Sequence, residues 1–154
     1  MKLPEPLFIV INPVVKALLR SPLHSLLSDS VMIVEFRGRR SGKEYSTPVR
    51  YVQEGELIRA YSNKETQWWR NLRDGAEAVL QVSGKRGRYI THVIENDEER
   101  IRQLLADYFV LYPEDAAYHD VKLAKSGFAD PDDLTEAAKH AVVVEAKPQT
   151  TAPD

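Results

Sequence analysis

The chain has 154 residues, 43% hydrophobic and 29% charged, which is the balance of an ordinary globular domain and not of a disordered or fibrous chain. Its formal net charge of -2 gives no global pull toward nucleic acid or an anionic membrane, so any basic feature acts locally. There is no cysteine, which excludes disulfides, thiolate metal sites and a cysteine nucleophile and makes the cytoplasm the default expectation.

Met1 to Pro6 lacks the charged region and long apolar run of a signal peptide. Leu7 to Ile11 is too short to span a bilayer and stops at Asn12-Pro13, so a soluble protein is expected. Residues 7–28 read as helix in two pieces. Asn12 caps the first, with Val14, Val15, Leu18 and Leu19 on one stripe, and Ser21 caps the second through Leu23, Leu26 and Leu27. Core packing is the plainest use of that stripe; covering a pocket or touching a membrane surface are the others.

Val31 to Phe36 is β-branched and aromatic, a strand. The turn Arg37-Gly38-Arg39-Arg40-Ser41-Gly42-Lys43 leads to a second strand, Tyr45 to Gln53, where Pro48 marks an edge or a bulge. Glu54-Gly55-Glu56 turns into a third strand, Leu57 to Ser62, which completes an antiparallel meander. Thr66 can cap a short helix that carries Trp68 and Trp69 and ends at Arg73-Asp74-Gly75. A fourth strand follows from Ala78 to Ser83. Gly84-Lys85-Arg86-Gly87 then turns into a fifth, Arg88 to Glu95, with Tyr89, Thr91 and Val93 alternating against Ile90, His92 and Ile94.

Asn96 or Asp97 caps a helix through Ile101, Leu104, Leu105, Tyr108 and Phe109, broken at Tyr112-Pro113. Residues 114–139 read as short helices and loops, with Pro131 in the acidic turn Asp130-Pro131-Asp132-Asp133. Ala141 to Glu145 is the last strand and Gln149 to Asp154 a frayed tail. The pattern is mainly β with flanking helices (α+β). Six short strands argue a closed or partly closed antiparallel barrel in one domain over residues 1–148: a helical segment 1–30, the barrel core 31–95, and helices with the last strand 96–148.

Few stretches can carry chemistry. Gly38 to Lys43 is not a phosphate loop of the NTPase kind: its glycines are one residue too close, Glu44 stands where the magnesium-binding hydroxyl belongs, and a strand follows. His24, His92, His119 and His140 have no metal-ligand spacing, and no serine sits in a nucleophile elbow. Glu98-Glu99 and Asp132-Asp133 are explained by helix starts. The cations cluster at two turns only, Arg37–Lys43 and Lys85–Arg88, so no nucleic-acid partner is expected.

Two features stay open. The Arg37–Lys43 turn presents amides, hydroxyls and fixed cations together, which suits a phosphate or carboxylate, yet a solvated hairpin tip has the same composition. Adjacent helical side chains diverge by about 100°, so Trp68 and Trp69 can hardly face one core. Either both pack, on opposite sides, or one lines a cavity. Ring against tryptophan and phosphate against turn would fit a flat anionic ligand such as a flavin.

Phe36-Arg37-Gly38-Arg39-Arg40-Ser41-Gly42-Lys43, then Ser46-Thr47-Pro48-Val49, Tyr51-Val52, Glu54-Gly55 and Trp68-Trp69-Arg70-Asn71-Leu72 resemble the deazaflavin-dependent nitroreductase/quinone reductase family. The likeness runs in order over roughly residues 12–95. It implies a split β-barrel related to the FMN-binding barrels, binding of the deazaflavin coenzyme F-420, and hydride transfer to a small-molecule acceptor such as a quinone or nitroaromatic. It further implies that Arg39, Arg40, Ser41, Gly42 and Lys43 hold the cofactor phosphate and acidic tail. Thr47, Pro48 and Val49 would lie under the ring, Ser62, Asn63 and Lys64 on the phosphate side, and Trp68 with Trp69 near the cofactor. No side chain is expected to be catalytic, because the cofactor supplies the chemistry. Related flavin barrels imply a homodimer. The loop Ser62 to Gln67 is shorter than family members usually carry, which keeps FMN as the alternative cofactor. A non-catalytic cofactor or lipid carrier on the same barrel is the alternative function.

Overall fold

The structure is a computed structural model that describes residues 30–149. The expected N-terminal helices, with caps Asn12 and Ser21, and the tail beyond Gln149 lie outside the described residues. Gln149 itself donates its backbone N–H to Arg88 O at 2.9 Å.

Six strands close into one antiparallel barrel: β1 (Val31–Arg37), β2 (Glu44–Glu54), β3 (Leu57–Asn63), β4 (Ala76–Val82), β5 (Lys85–Ile94) and β6 (Ala141–Pro148). The order around the barrel is β1-β2-β3-β6-β5-β4, every neighbour antiparallel. Period-two alternation explains the closure. Met32, Val34 and Phe36, Ile58 and Ala60, Ala78 and Leu80, and Val142, Val144 and Ala146 are alternate residues that share one buried cluster, the barrel interior.

A second buried cluster lies on the outside of β6, where Ala141 and Val143 meet Ile101, Leu104, Leu105 and Phe109 of α1 (Glu98–Leu111) and Leu134, Ala137 and Ala138 of α2 (Pro131–Ala138). β6 is thus buried on both faces, and its run of valines reads as continuous apolar sequence for that reason. No helix among the described residues is long and apolar enough to cross a membrane.

Pro48 is an edge residue and not a bulge. It pairs in unbroken register with Ile33 of β1, and β2 pairs with β3 only from Tyr51 to Glu54. Beyond Tyr51 the other edge of β2 has no strand partner among the described residues, so the missing N–H of proline removes no ladder bond there.

Three local expectations are corrected. The β4–β5 turn is the pair Ser83-Gly84, both at positive φ (50° and 78°), and Lys85, Arg86 and Gly87 belong to β5. Asp130-Pro131-Asp132-Asp133 opens α2: the Asp130 carboxylate accepts the Asp133 N–H at 2.9 Å, and Pro131 takes the first helical position. Thr66 caps no helix. The tryptophan segment is a five-residue 3-10 helix, Trp68–Leu72, flanked by Gln67 without a side-chain cap.

Candidate functional site

One end of the barrel gathers the turn after β1, the end of β3, the tryptophan helix and the start of β6. At this mouth β2 and β3 part company, because their pairing stops at Tyr51 and Ala60. Cross-strand partners share a face, so Val49 and Thr47, opposite Met32 and Val34, point into the barrel. Pro48, opposite Ile33, points out. The three residues expected under one ring therefore divide between two faces. Ser62, two residues beyond Ala60 on β3, is on the interior face with Thr47 and Val49.

The short loop after β3 is closed by its own side chains. Ser62 Oγ accepts from Trp68 Nε1 at 3.2 Å and lies 2.6 Å from Thr66 Oγ1. Asn63 O accepts from Trp69 Nε1 at 2.8 Å and from the Thr66 hydroxyl at 3.0 Å. The Asn63 side chain accepts the Glu65 N–H at 2.9 Å and donates to Tyr118 OH at 3.0 Å. Lys64 Nζ donates to Asn96 Oδ1 at 2.8 Å. Ser62, Asn63 and Lys64 all stand at the mouth, each with polar groups already bonded within the protein.

The tryptophans separate as adjacent residues must. Trp69 is 1% exposed in the barrel core, with the Arg70 and Arg73 guanidinium carbons 4.6 and 4.8 Å from its ring centroid. Arg73 is held by two bonds to Glu95, at 2.8 and 2.9 Å, which raise its pKa further. Trp68 is half-buried. It packs against the interior cluster and keeps part of its surface at the mouth.

The basic turn has the opposite character. Its backbone closes on itself: Gly38 N–H donates to Lys43 O at 2.8 Å, Gly42 N–H to Gly38 O at 2.9 Å, and Lys43 N–H to Ser41 Oγ at 3.2 Å. A Cβ on Gly38 would meet Tyr45 Cε2 at 2.8 Å and Ser41 Oγ at 2.9 Å, so a larger residue there would have to push the exposed Tyr45 ring and the Ser41 hydroxyl aside. Arg37 pairs with Glu44 at 3.6 Å in solvent. The Arg40 guanidinium, the Lys43 ammonium and the amides of Arg40 and Ser41 have no partner among the described residues. Two free cations beside two free amides are a ready site for an anion.

Arg39 ties the two halves together. Its N–H and its Nη1 donate to Asn71 Oδ1 at 2.9 and 3.2 Å, while Asn71 Nδ2 donates to Trp68 O at 3.1 Å. Asn71 did not stand out in the sequence as a site residue. Asn71 had one usable signal: three residues per turn of 3-10 helix put it over Trp68.

Tyr108 and Tyr112 build a separate layer against β2 and β3, where Tyr112 OH donates to Tyr51 O at 3.3 Å. Tyr61 and Tyr108 stack at 4.0 Å between centroids, Tyr108 OH donates to Asp115, and Arg50 bonds both Glu114 and Asp115 at 2.8 and 3.0 Å. Burial pushes the Tyr61 phenol up to about 12. Tyr108 is raised further still, by burial first and by its bond to Asp115 second. No group of histidines and carboxylates that could hold a metal occurs among the described residues.

Comparison with known proteins gives one family and a fold. The family model described as F420H(2)-dependent quinone reductase matches residues 21–124. No curated protein has a significantly matching sequence. Among solved structures, the haem storage protein HutZ from Vibrio cholerae superposes with a TM-score of 0.52 at 13% identity, covering 86% of this chain and 92% of that one. A chain described as a domain-swapped dimer gives 0.51 at 16% identity, covering 77% and 81%. An F420-H2 dependent reductase gives 0.46 at 17% identity, covering 75% and 93%. At these identities the likeness of the first two speaks for the split-barrel fold alone.

Proposed function

The chain belongs to the F420H(2)-dependent quinone reductase family, and from that premise we propose that it uses reduced F-420 to reduce a small flat acceptor, a quinone or a nitroaromatic. The observation that carries this reading is the union, through Arg39 and Asn71, of a turn bearing unpaired cations with a helix bearing a half-exposed tryptophan. A flat ligand with a phosphate and an acidic tail needs both at once.

The residues present fit that group. The Arg40 and Lys43 side chains, with the amides of Arg40 and Ser41, would take the phosphate and tail. Thr47 and Val49, which face the barrel interior, and Trp68, which keeps part of its surface at the mouth, would wall the ring. Reduced F-420 supplies the hydride when bound. The protein binds the anionic end, orients the ring against Trp68, and excludes water with the packed barrel below it. Ser62, Asn63 and Lys64 act in this reading by shaping the loop that presents Trp68, since their polar groups are already bonded. Trp69 anchors that loop from the core. A homodimer is the assembly the reading expects.

Titration of the purified protein with reduced F-420 and with FMN tests it. Micromolar binding of F-420 with acceptor-dependent oxidation supports it. Binding of FMN alone would transfer the site to the other flavin, and binding of neither, without acceptor-dependent oxidation, would remove the enzyme reading.

A further inference from the structure

Asn71 stands outside the anion and ring contacts proposed above, yet its side chain bonds both elements that make them. Oδ1 accepts the Arg39 N–H and Nη1 at 2.9 and 3.2 Å, and Nδ2 donates to Trp68 O at 3.1 Å. The flanking residues fix its base: Trp69 and Leu72 are each 1% exposed in the barrel interior. Among the described residues, no other hydrogen bond joins the turn 38–43 to a distant part of the chain. Among the described residues, the turn is tied to the barrel, apart from its two strand ends, at this one point.

We infer that Asn71 is a positioning residue that holds the anion-binding turn in register with Trp68. The inference rests on the F-420 reading for its consequence and on hydrogen bonds alone for its geometry. With Asn71 in place, the free amides of Arg40 and Ser41 and the charges of Arg40 and Lys43 sit at a fixed offset from the tryptophan. Without it, the turn pivots on Arg37 and Glu44, and a ligand gripped at both ends must order it on binding. That cost falls on affinity and not on the chemical step.

The test uses Asn71→Ala and Asn71→Asp in the full-length chain. Hydrogen exchange of the ligand-free protein reads the geometry. In Asn71→Ala the Arg39 amide should exchange about tenfold faster, while Asn71→Asp, which keeps an acceptor oxygen, should restore its protection. F-420 binding reads the consequence. Asn71→Ala should weaken affinity by about tenfold, with turnover at saturating F-420 retained and the salt dependence of binding unchanged, because every charge is still present.

Unchanged exchange at Arg39 overturns the inference. So does faster exchange with wild-type affinity, or a weaker binding whose salt dependence has become shallower, since that marks a lost charge contact. If wild-type protein itself fails to bind F-420, the functional reading falls, and the exchange arm still decides whether Asn71 fixes the turn. Should Asn71→Ala not fold, Asn71→Leu, similar in shape and without polar atoms, carries the same two readouts.

Discussion

Ser62, Asn63 and Trp69 form the buried half of the barrel mouth, their polar atoms bonded within the protein, whereas Arg40 and Lys43 on the facing turn stand in solvent with no partner among the described residues. Buried polar groups must be satisfied to be tolerated, so the first half is constrained by folding. Exposed cations cost little to leave alone, so the second half is free to be set by a ligand. Substitutions on the two halves should therefore separate stability from affinity.

The largest effect is expected on the buried side. Trp69→Ala removes a fully buried ring and one hydrogen bond, and should cost about 3–5 kcal/mol in urea denaturation. A near-normal denaturation midpoint would show that the loop does not depend on its anchor. On the exposed side, Arg40→Ala with Lys43→Ala should leave thermal unfolding unchanged. Each lost charge-assisted contact is worth about 1.5–3 kcal/mol, so F-420 affinity should fall well over tenfold. If melting temperature drops with affinity, the two halves are not separable.

The tyrosine layer extends the same contrast to alkaline pH. A phenol ordinarily ionises near 10, and burial holds Tyr61 up to about 12. Because the folded value is the higher one, the neutral phenol contributes its stability in full below about pH 10. That contribution is lost as pH rises toward 12. Ultraviolet titration should show part of the tyrosine absorbance change appearing only with unfolding; complete reversible ionisation of a folded protein near pH 10 would refute the packing. The smallest effect is Arg37→Ala. Its ion pair with Glu44 is exposed on both sides, and its loss should change stability by less than about 0.5 kcal/mol in the same denaturation assay.

What could be read from the sequence followed from local periodicity. Most strands declare themselves by alternating into one interior and β6 by an apolar run buried on both faces, and the mouth residues cluster in two short stretches. Features that depend on closure are silent. Asn71 meets Arg39 across 32 residues and Asn63 meets Tyr118 across 55, and nothing local marks either pair. Other errors came from residues with two uses. Asp-Pro-Asp-Asp suits a turn or a helix start, and Asp130 serves as the cap. Lys85, Arg86 and Gly87 look like loop because β5 is exposed at that end. Thr66 has the chemistry of a cap, but its hydroxyl bonds backward to Ser62 and Asn63.

The turn and Trp68 are proposed to hold reduced F-420 together, for hydride transfer to an acceptor. Anaerobic mixing of the protein with reduced F-420 and a simple quinone, followed by the reappearance of oxidised F-420, addresses it directly. Oxidation should need both protein and quinone, saturate at micromolar F-420, and lose that saturation in the Arg40→Ala, Lys43→Ala variant. Oxidation no faster than without protein, or equal saturation by wild type and variant, would contradict it.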